Sequence, residues 1–205
     1  FVPVRGTTME DCVALARQLG ARVGDELGIP VFLYEAAAAR PERRNLADVR
    51  RGEYEGLKAE MTLDGDRAPD FGPAIVGTAG ATAIGARPPL IAYNVYLNTD
   101  DVKPAKAIAK AIRHSSGGLR YVKAMGLIVE GQAQISMNLT DFQRTPIHRV
   151  TELIRTEAAR FGLAITHSEV VGLLPAEALI DAARFYLQLT DLSSSQVLEN
   201  RLSDG

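Results

Sequence analysis

The sequence predicts an α+β fold, and three observations carry that prediction. From Leu90 onward, runs of alternating apolar residues and runs with helical apolar spacing follow one another in the order β-α-β-β-α-β, with a last helix after them. Ahead of Leu90, a short apolar run, a helix and a second apolar run precede an irregular, glycine-rich stretch. Apolar residues make up 46% of the chain and charged residues 23%, with both signs interspersed, so there is enough to build a core and too little charge to hold the chain unfolded.

The elements can be justified in order. Phe1–Val4 is an apolar run ending at Arg5-Gly6. Thr7 stands three residues before Glu10, a capping-box spacing that satisfies free amides at a helix start. Val13, Ala16, Leu19, Val23 and Leu27 follow at helical spacing, and Gly28 with Pro30 stops that helix. Val31–Tyr34 reads as a buried strand, and Arg40, Arg43 and Arg44 as a basic loop. A helix from Leu46 through Leu57 should break near Gly52. Between Asp64 and Pro89, glycines at 65, 72, 77, 80 and 85 and prolines at 69, 73, 88 and 89 argue against regular structure across most of the segment. A long irregular stretch inside a compact chain is functional or disordered. Its apolar residues Phe71, Ile75, Val76 and Ile84 favour the ordered, functional reading.

The second half is cleaner. Leu90–Asn98 alternates, with Ile91, Tyr93, Val95 and Leu97 on one face and Asn94 with Tyr96 on the other. Val102, Ala105, Ile108, Ala109 and Ile112 form a helical stripe, with Lys103, Lys106, Lys110 and Arg113 mostly off it. Tyr121–Val129 and Ala133–Leu139 make a hairpin about a tight turn at Gly131. Thr145-Pro146 opens the next helix, proline suiting a first turn where its missing amide costs nothing. Ile147, Val150, Ile154, Ala158 and Phe161 are its stripe. Ile165–Leu174 includes a strand, Ala176–Leu189 is the last full helix, and Ser193–Gly205 is a surface segment or a short terminal helix. This order is the split βαβ, ferredoxin-like arrangement. It puts both main helices on one face of a four-stranded antiparallel sheet and leaves the other face open.

Val170–Leu189 and Phe1–Gly20 share the pattern strand, short turn, helix. Read as the remnant of an internal repeat, this places Phe1 in the last strand of a first ferredoxin-like copy, with roughly 80 residues of that copy lying upstream. Two such sheets packed open face to open face would leave a crevice between them.

Composition narrows the function classes. A net charge of −2 argues against a general nucleic-acid or membrane-surface binder. Cys12 is the only cysteine, so no intrachain disulfide and no cysteine-based metal site can form, and a reducing, cytoplasmic setting is expected. No apolar run approaches the ~20 residues needed to span a bilayer. No two of His114, His148 and His167 have a metal-ligand spacing, and no metal is expected. His114 reads as a surface residue at a helix end, His148 as a first-turn helix residue and His167 as a strand-edge residue. Cys12, on a helix, reads as core.

Several stretches stand out as motifs: Phe1-Val2-Pro3-Val4-Arg5-Gly6 with the helix that follows, Arg51-Gly52-Glu53-Tyr54-Glu55, and Asp70-Phe71-Gly72-Pro73. Gly80-Ala81-Thr82-Ala83, Gly85-Ala86-Arg87, Asn94, Asn138 and Val171-Gly172-Leu173-Leu174-Pro175 complete the set. Together they resemble glutamate formiminotransferase, and the resemblance covers almost the whole chain. It implies tandem ferredoxin-like subdomains, the first present as its C-terminal strand-helix remnant and extension. Residues 1–88 would be a partial N-terminal formiminotransferase subdomain with the folate-binding loop, and 89–205 the C-terminal subdomain. It also implies transfer of the formimino group from N-formimino-L-glutamate to tetrahydrofolate, the acceptor substrate, in histidine breakdown and one-carbon metabolism. The partners are then folate and formiminoglutamate, and a homodimer is expected.

The folate-contacting loop would be Gly72, Pro73, Ala74, Ile75, Val76, Gly77, Thr78, Ala79 and Gly80, where a glycine-rich backbone lets amides approach a flat ring. Arg87 is the candidate contact for a carboxylate. Asn94 and Asn138, on facing central strands, would contact substrate or hydrogen-bond the two halves together. The family's catalytic histidine lies in a His-Pro-Arg-Met-Gly-like segment ahead of the Phe1–Val4 strand and has no counterpart in these residues. The alternative reading is therefore a non-catalytic folate-binding or ferredoxin-like interaction module.

Overall fold

A computed structural model describes residues 1–4, 6–61 and 65–203. Arg5, Asp64 and residues 204 and 205, named above, lie outside the described residues. The chain is α+β and divides into two compact units, Phe1–Pro88 and Pro89–Gly205, one built on a two-stranded sheet and the other on a four-stranded sheet.

The first unit contains α1 (Met9–Leu27), β1 (Val31–Glu35), α2 (Leu46–Val49), α3 (Glu53–Glu60) and β2 (Thr82–Ala86). The capping box is one residue later than the spacing suggested. Thr8, not Thr7, accepts from the Asp11 amide, and Asp11 accepts from the Thr8 amide. Thr7 is occupied elsewhere, its hydroxyl bridging the carbonyl and amide of Val4.

The inner face of α1 is also turned from the expected stripe. Cys12, Ala16, Gly20 and Gly24 are buried, while Leu19 and Leu27 are exposed. The small residues win this face because the chain after β1 packs directly on the helix. A β-carbon at Gly24 would stand 2.6 Å from the Gly72 amide nitrogen, and one at Gly20 would stand 3.0 Å from the Phe71 ring.

The break predicted near Gly52 is present, with Gly52 in the left-handed region at φ 77 as the N-cap of α3. The segment 64–89 is less irregular than its glycines suggested, because Thr82–Ala86 forms β2 in parallel register with the buried β1. Phe1–Val4 carries no strand assignment. Phe1 nevertheless bonds the end of β2 and the residue after it, donating to the Gly85 carbonyl at 2.8 Å and accepting from the Arg87 amide at 3.0 Å.

The second unit runs β3 (Ile91–Leu97), α4 (Val102–Ile112), β4 (Val122–Val129), β5 (Gln132–Leu139), α5 (Ile147–Ala159), β6 (Ile165–Val171), α6 (Ala176–Leu187) and α7 (Leu198–Ser203). The strands lie in the order β4-β5-β3-β6, all pairs antiparallel. Strands β3 and β5 are therefore the central pair, as the sequence pattern required. The predicted stripes on α4 and α5 form the core: Ala105, Ile108, Ala109 and Ile112, and Ile147, Val150, Ile154 and Ala158, pack with Ile91, Val95, Leu97, Ile135 and Leu139. Phe161 falls beyond the end of α5 and is exposed. Pro146 is the N-cap rather than a first-turn residue, extended at ψ 154, so the helix begins one residue later than the proline preference suggested. Among the described residues, no helix is long and apolar enough to cross a membrane.

Candidate functional site

The glycine-rich loop of the first unit is held at both ends. At its start, Asp70 and Phe71 clip onto β1. The Asp70 amide donates to the Val31 carbonyl at 2.8 Å, and the Val31 amide donates to the Phe71 carbonyl at 2.9 Å. The Asp70 carboxylate accepts from the Leu33 amide at 2.7 Å and from Arg43 Nη1 at 2.7 Å. Arg43, read from the sequence as part of a basic loop, is 4% exposed and its Asp70 partner 8%. Its other nitrogen donates to the carbonyls of Asp66 (3.2 Å) and Ala68, and its guanidinium stacks over Phe32 at 5.1 Å. A buried charge demands such partners, because leaving it unpaired costs far more than exposing it.

Gly72 follows at φ 79, where a β-carbon would lie 2.4 Å from the Ile29 carbonyl oxygen. The motif Asp70-Phe71-Gly72 is thus a mount, explained by packing. The middle of the loop is pinned by Val76, which is buried with Phe32 and Met61, while Ala74 and Ala81 pack against the same cluster. Between these anchors Ile75 is exposed, and Gly77-Thr78-Ala79-Gly80 forms a tight turn closed by the Gly80 amide on the Gly77 carbonyl at 3.1 Å. A β-carbon at Gly77 would meet nothing within 4 Å, and Gly77 does not have positive φ. Nothing within the fold therefore requires glycine there. A cavity of about 410 Å³ opens where the loop rejoins β2, lined by Phe32, Val49, Tyr54, Leu57 and Ala81–Ala83, with Arg50 and Glu53 at hand. Arg87, just past β2, is half-buried and donates to the Pro88 carbonyl at 3.2 Å; no carboxylate pairs with it among the described residues.

The second unit presents a polar sheet face. Register places Asn94 between Ser136 on β5 and Glu169 on β6, and Tyr96 between Gln134 and His167. Asn138 lies one rung further, opposite Ala92 and Lys123, and is exposed. Asn94 and Asn138 do share a face, as alternation predicted. Asn94 Nδ2 donates to Glu169 Oε2 at 3.2 Å, and the Tyr96 hydroxyl donates to the same oxygen at 3.4 Å. His167 is exposed on the edge strand, stacked on Tyr96 at 4.2 Å and 11°, its Nδ1 3.0 Å from the Thr166 hydroxyl. Sequence reasoning missed Glu169 as a member of this face. Its alternation with His167 and Val171 was available, but only the β3–β6 register brings it to Asn94.

Of the other histidines, His114 is exposed in a short 3-10 turn. His148 is buried on α5 and stacked on Phe185 at 4.5 Å, with no hydrogen-bond partner for Nδ1. Burial pushes its imidazole below the ordinary value, the Arg149 charge adds to that, and Asp181 opposes it. Cys12 is buried core.

The geometry defines a two-unit α+β protein with a rigidly mounted glycine-rich loop on one unit and a hydrogen-bonding sheet face on the other. Known families agree with this outline. Residues 1–87 match the model of the formiminotransferase domain, N-terminal subdomain, and residues 92–202 match that of the formiminotransferase domain. A glutamate formimidoyltransferase from Thermoplasma acidophilum is 52% identical over 98% of this chain and 68% of its own length. One from Streptococcus pyogenes is 50% identical over 98% of this chain and 69% of its own length. A formimidoyltransferase-cyclodeaminase from Mus musculus is 43% identical, covering 91% of this chain and 36% of its own length. The chain belongs to the formiminotransferase family.

Proposed function

We propose that this chain serves the transfer of a formimino group from N-formimino-L-glutamate to tetrahydrofolate, with residues 1–88 as a partial N-terminal subdomain and residues 89–205 as a ferredoxin-like C-terminal subdomain. The observation that carries the reading is the 50–52% identity, over 98% of the chain, to two proteins named glutamate formimidoyltransferase. Formimino transfer needs a nitrogen nucleophile brought to one carbon. The folate amine attacks the formimidoyl carbon, a tetrahedral intermediate forms, and the bond to the glutamate nitrogen breaks. One proton leaves the attacking nitrogen and one arrives on the departing nitrogen. Proton transfer at near-neutral pH favours an imidazole. The resemblance assigns that group to none of His114, His148 and His167.

The surroundings of the present residues support the roles proposed for them. The loop from Gly72 to Gly80 supplies backbone to a flat ring. Gly77 supports this, since a side chain there would meet no protein atom and would fill space a ligand can use. Arg87 suits the carboxylates of the folate tail or of the donor, having no acidic partner of its own among the described residues. Asn94 and Asn138 provide hydrogen bonds from the sheet face.

The test is turnover by the whole protein with formiminoglutamate and tetrahydrofolate, alongside calorimetry with folate and competition by formylglutamate. Turnover with the formimino donor is expected. Folate binding without turnover would reduce the chain to a binding module, and absence of both would overturn the reading.

A further inference from the structure

The sheet face of the second unit holds an exposed carboxylate, Glu169, whose hydrogen-bond donors are both neutral. Arg43–Asp70, Arg51–Asp48, Arg67–Glu60 and Arg160–Glu157 are ion pairs. Glu169 makes none among the described residues; its two hydrogen-bond donors, Asn94 and Tyr96, are neutral and both fall on Oε2. The other oxygen, Oε1, accepts no hydrogen bond from the described residues.

The orientation of Asn94 follows from chemistry. An ionised carboxylate cannot donate, so the amide must turn its NH2 toward Glu169 and leave Oδ1 as an acceptor. The donors are themselves fixed. Tyr96 is held by its stack on His167, and Asn94 and Glu169 are direct cross-strand partners on β3 and β6. The cluster therefore presents two acceptors, Glu169 Oε1 and Asn94 Oδ1, together with an uncompensated negative charge. Strand β4, which carries Lys123, lies at the opposite edge of the sheet.

We infer that Glu169, oriented by Asn94 and Tyr96, binds the planar N–C–N donor edge of a substrate. Two N–H groups on one carbon match the fork of a carboxylate, and a positive charge on that edge strengthens the match. The inference rests on the transfer reaction proposed above, which offers two such edges. One is the formimino group, an amidine that is protonated near neutral pH. The other is the ring N–H with its neighbouring amino group on the pterin. A formyl donor offers a carbonyl oxygen at the corresponding position, which a carboxylate repels, so in the first case Glu169 selects the formimino donor.

The experiment is Glu169→Gln in the whole protein, with KM measured separately for formiminoglutamate and tetrahydrofolate. The change keeps the shape and the two neutral hydrogen bonds and removes the charge. Loss of a charge-assisted hydrogen bond is expected to raise KM for the ligand it touches on the order of tenfold to a hundredfold. A rise for formiminoglutamate alone, with a smaller preference over formylglutamate, assigns the amidine. A rise for tetrahydrofolate alone assigns the pterin edge. If the variant does not turn over, calorimetry with each ligand reads the same two outcomes. If it does not fold, Glu169→Asp, which keeps the charge and withdraws it by one methylene, should show the same selectivity at lower amplitude. Unchanged KM for both substrates in a folded variant overturns this inference alone. A wild type that turns over neither donor overturns the transfer reaction, and this inference with it.

Discussion

Replacing Asp70 by alanine tests how the glycine-rich loop is held. The carboxylate is 8% exposed and receives the Leu33 amide and the Arg43 guanidinium, each at 2.7 Å. Removing one partner of a buried pair costs about 3–5 kcal/mol, because a charge is left uncompensated. Arg43 would retain the carbonyls of Asp66 and Ala68, which favours the lower end of that range. The Leu33 amide would lose its acceptor inside β1, worth about 1–3 kcal/mol. These terms overlap, and a loss of about 4 kcal/mol is expected for Asp70→Ala. Asp70→Asn keeps an acceptor for one donor and should lose about half as much. Urea denaturation followed by far-UV circular dichroism measures the loss. Amide exchange at Leu33 localises it, and should accelerate in both variants. Adding Arg43→Met to Asp70→Ala removes the orphaned charge, so the double variant should be no less stable than the single. A loss below about 1 kcal/mol for Asp70→Ala would place the pair among solvated surface bridges and refute the reasoning.

Three further outcomes are expected. Gly72→Ala should destabilise by about 2 kcal/mol or more, since its β-carbon meets the Ile29 carbonyl and φ is positive, whereas Gly77→Ala should leave stability within about 0.5 kcal/mol and weaken folate binding. Thermal melts with folate calorimetry separate the two, and an unchanged dissociation constant for Gly77→Ala would remove the turn from the site. Asn138→Ala should weaken folate or substrate binding without lowering the melting temperature, and an unaltered dissociation constant would count against its role. His148, depressed by burial, binds its proton more readily in the unfolded chain; stability should therefore decline as pH falls below about 6.5 toward the folded pKa. Comparing melting temperatures at pH 7.5 and 5.5 reads this, and His148→Phe, which can keep the stack on Phe185, should flatten the difference.

How much was legible in the sequence depended on the range of the interaction. The second unit was readable because its core alternates along single strands and repeats along single helices: Ile91, Tyr93, Val95 and Leu97 needed no knowledge of a partner. The strand order and the central placement of β3 and β5 followed from element order. The first unit was less readable. Its helix α1 buries Gly20 and Gly24 and exposes Leu19, against hydrophobic periodicity, because the face is chosen by Phe71 and Gly72 some fifty residues later. Strand β2 was hidden by Gly85, whose missing side chain makes room for the Tyr34 ring.

The candidate site divides along the same line. The motif Asp70-Phe71-Gly72-Pro73 is one of the stretches that carry the family resemblance, yet its first three residues are occupied with the fold: a carboxylate in a buried pair, a ring on α1 and a glycine against Ile29. This motif therefore marks where the loop is fastened, and the part of the loop left uncommitted to packing begins later, at exposed Ile75 and at Gly77. On the sheet, Asn94 was visible by alternation, but the group that orients it is 75 residues away and reaches it only through the β3–β6 register. The charge on Glu169 is what distinguishes this face from an ordinary polar one. Neutral donors alone would accept a formyl or a formimino group with little preference, whereas an uncompensated carboxylate favours the one that carries N–H and positive charge.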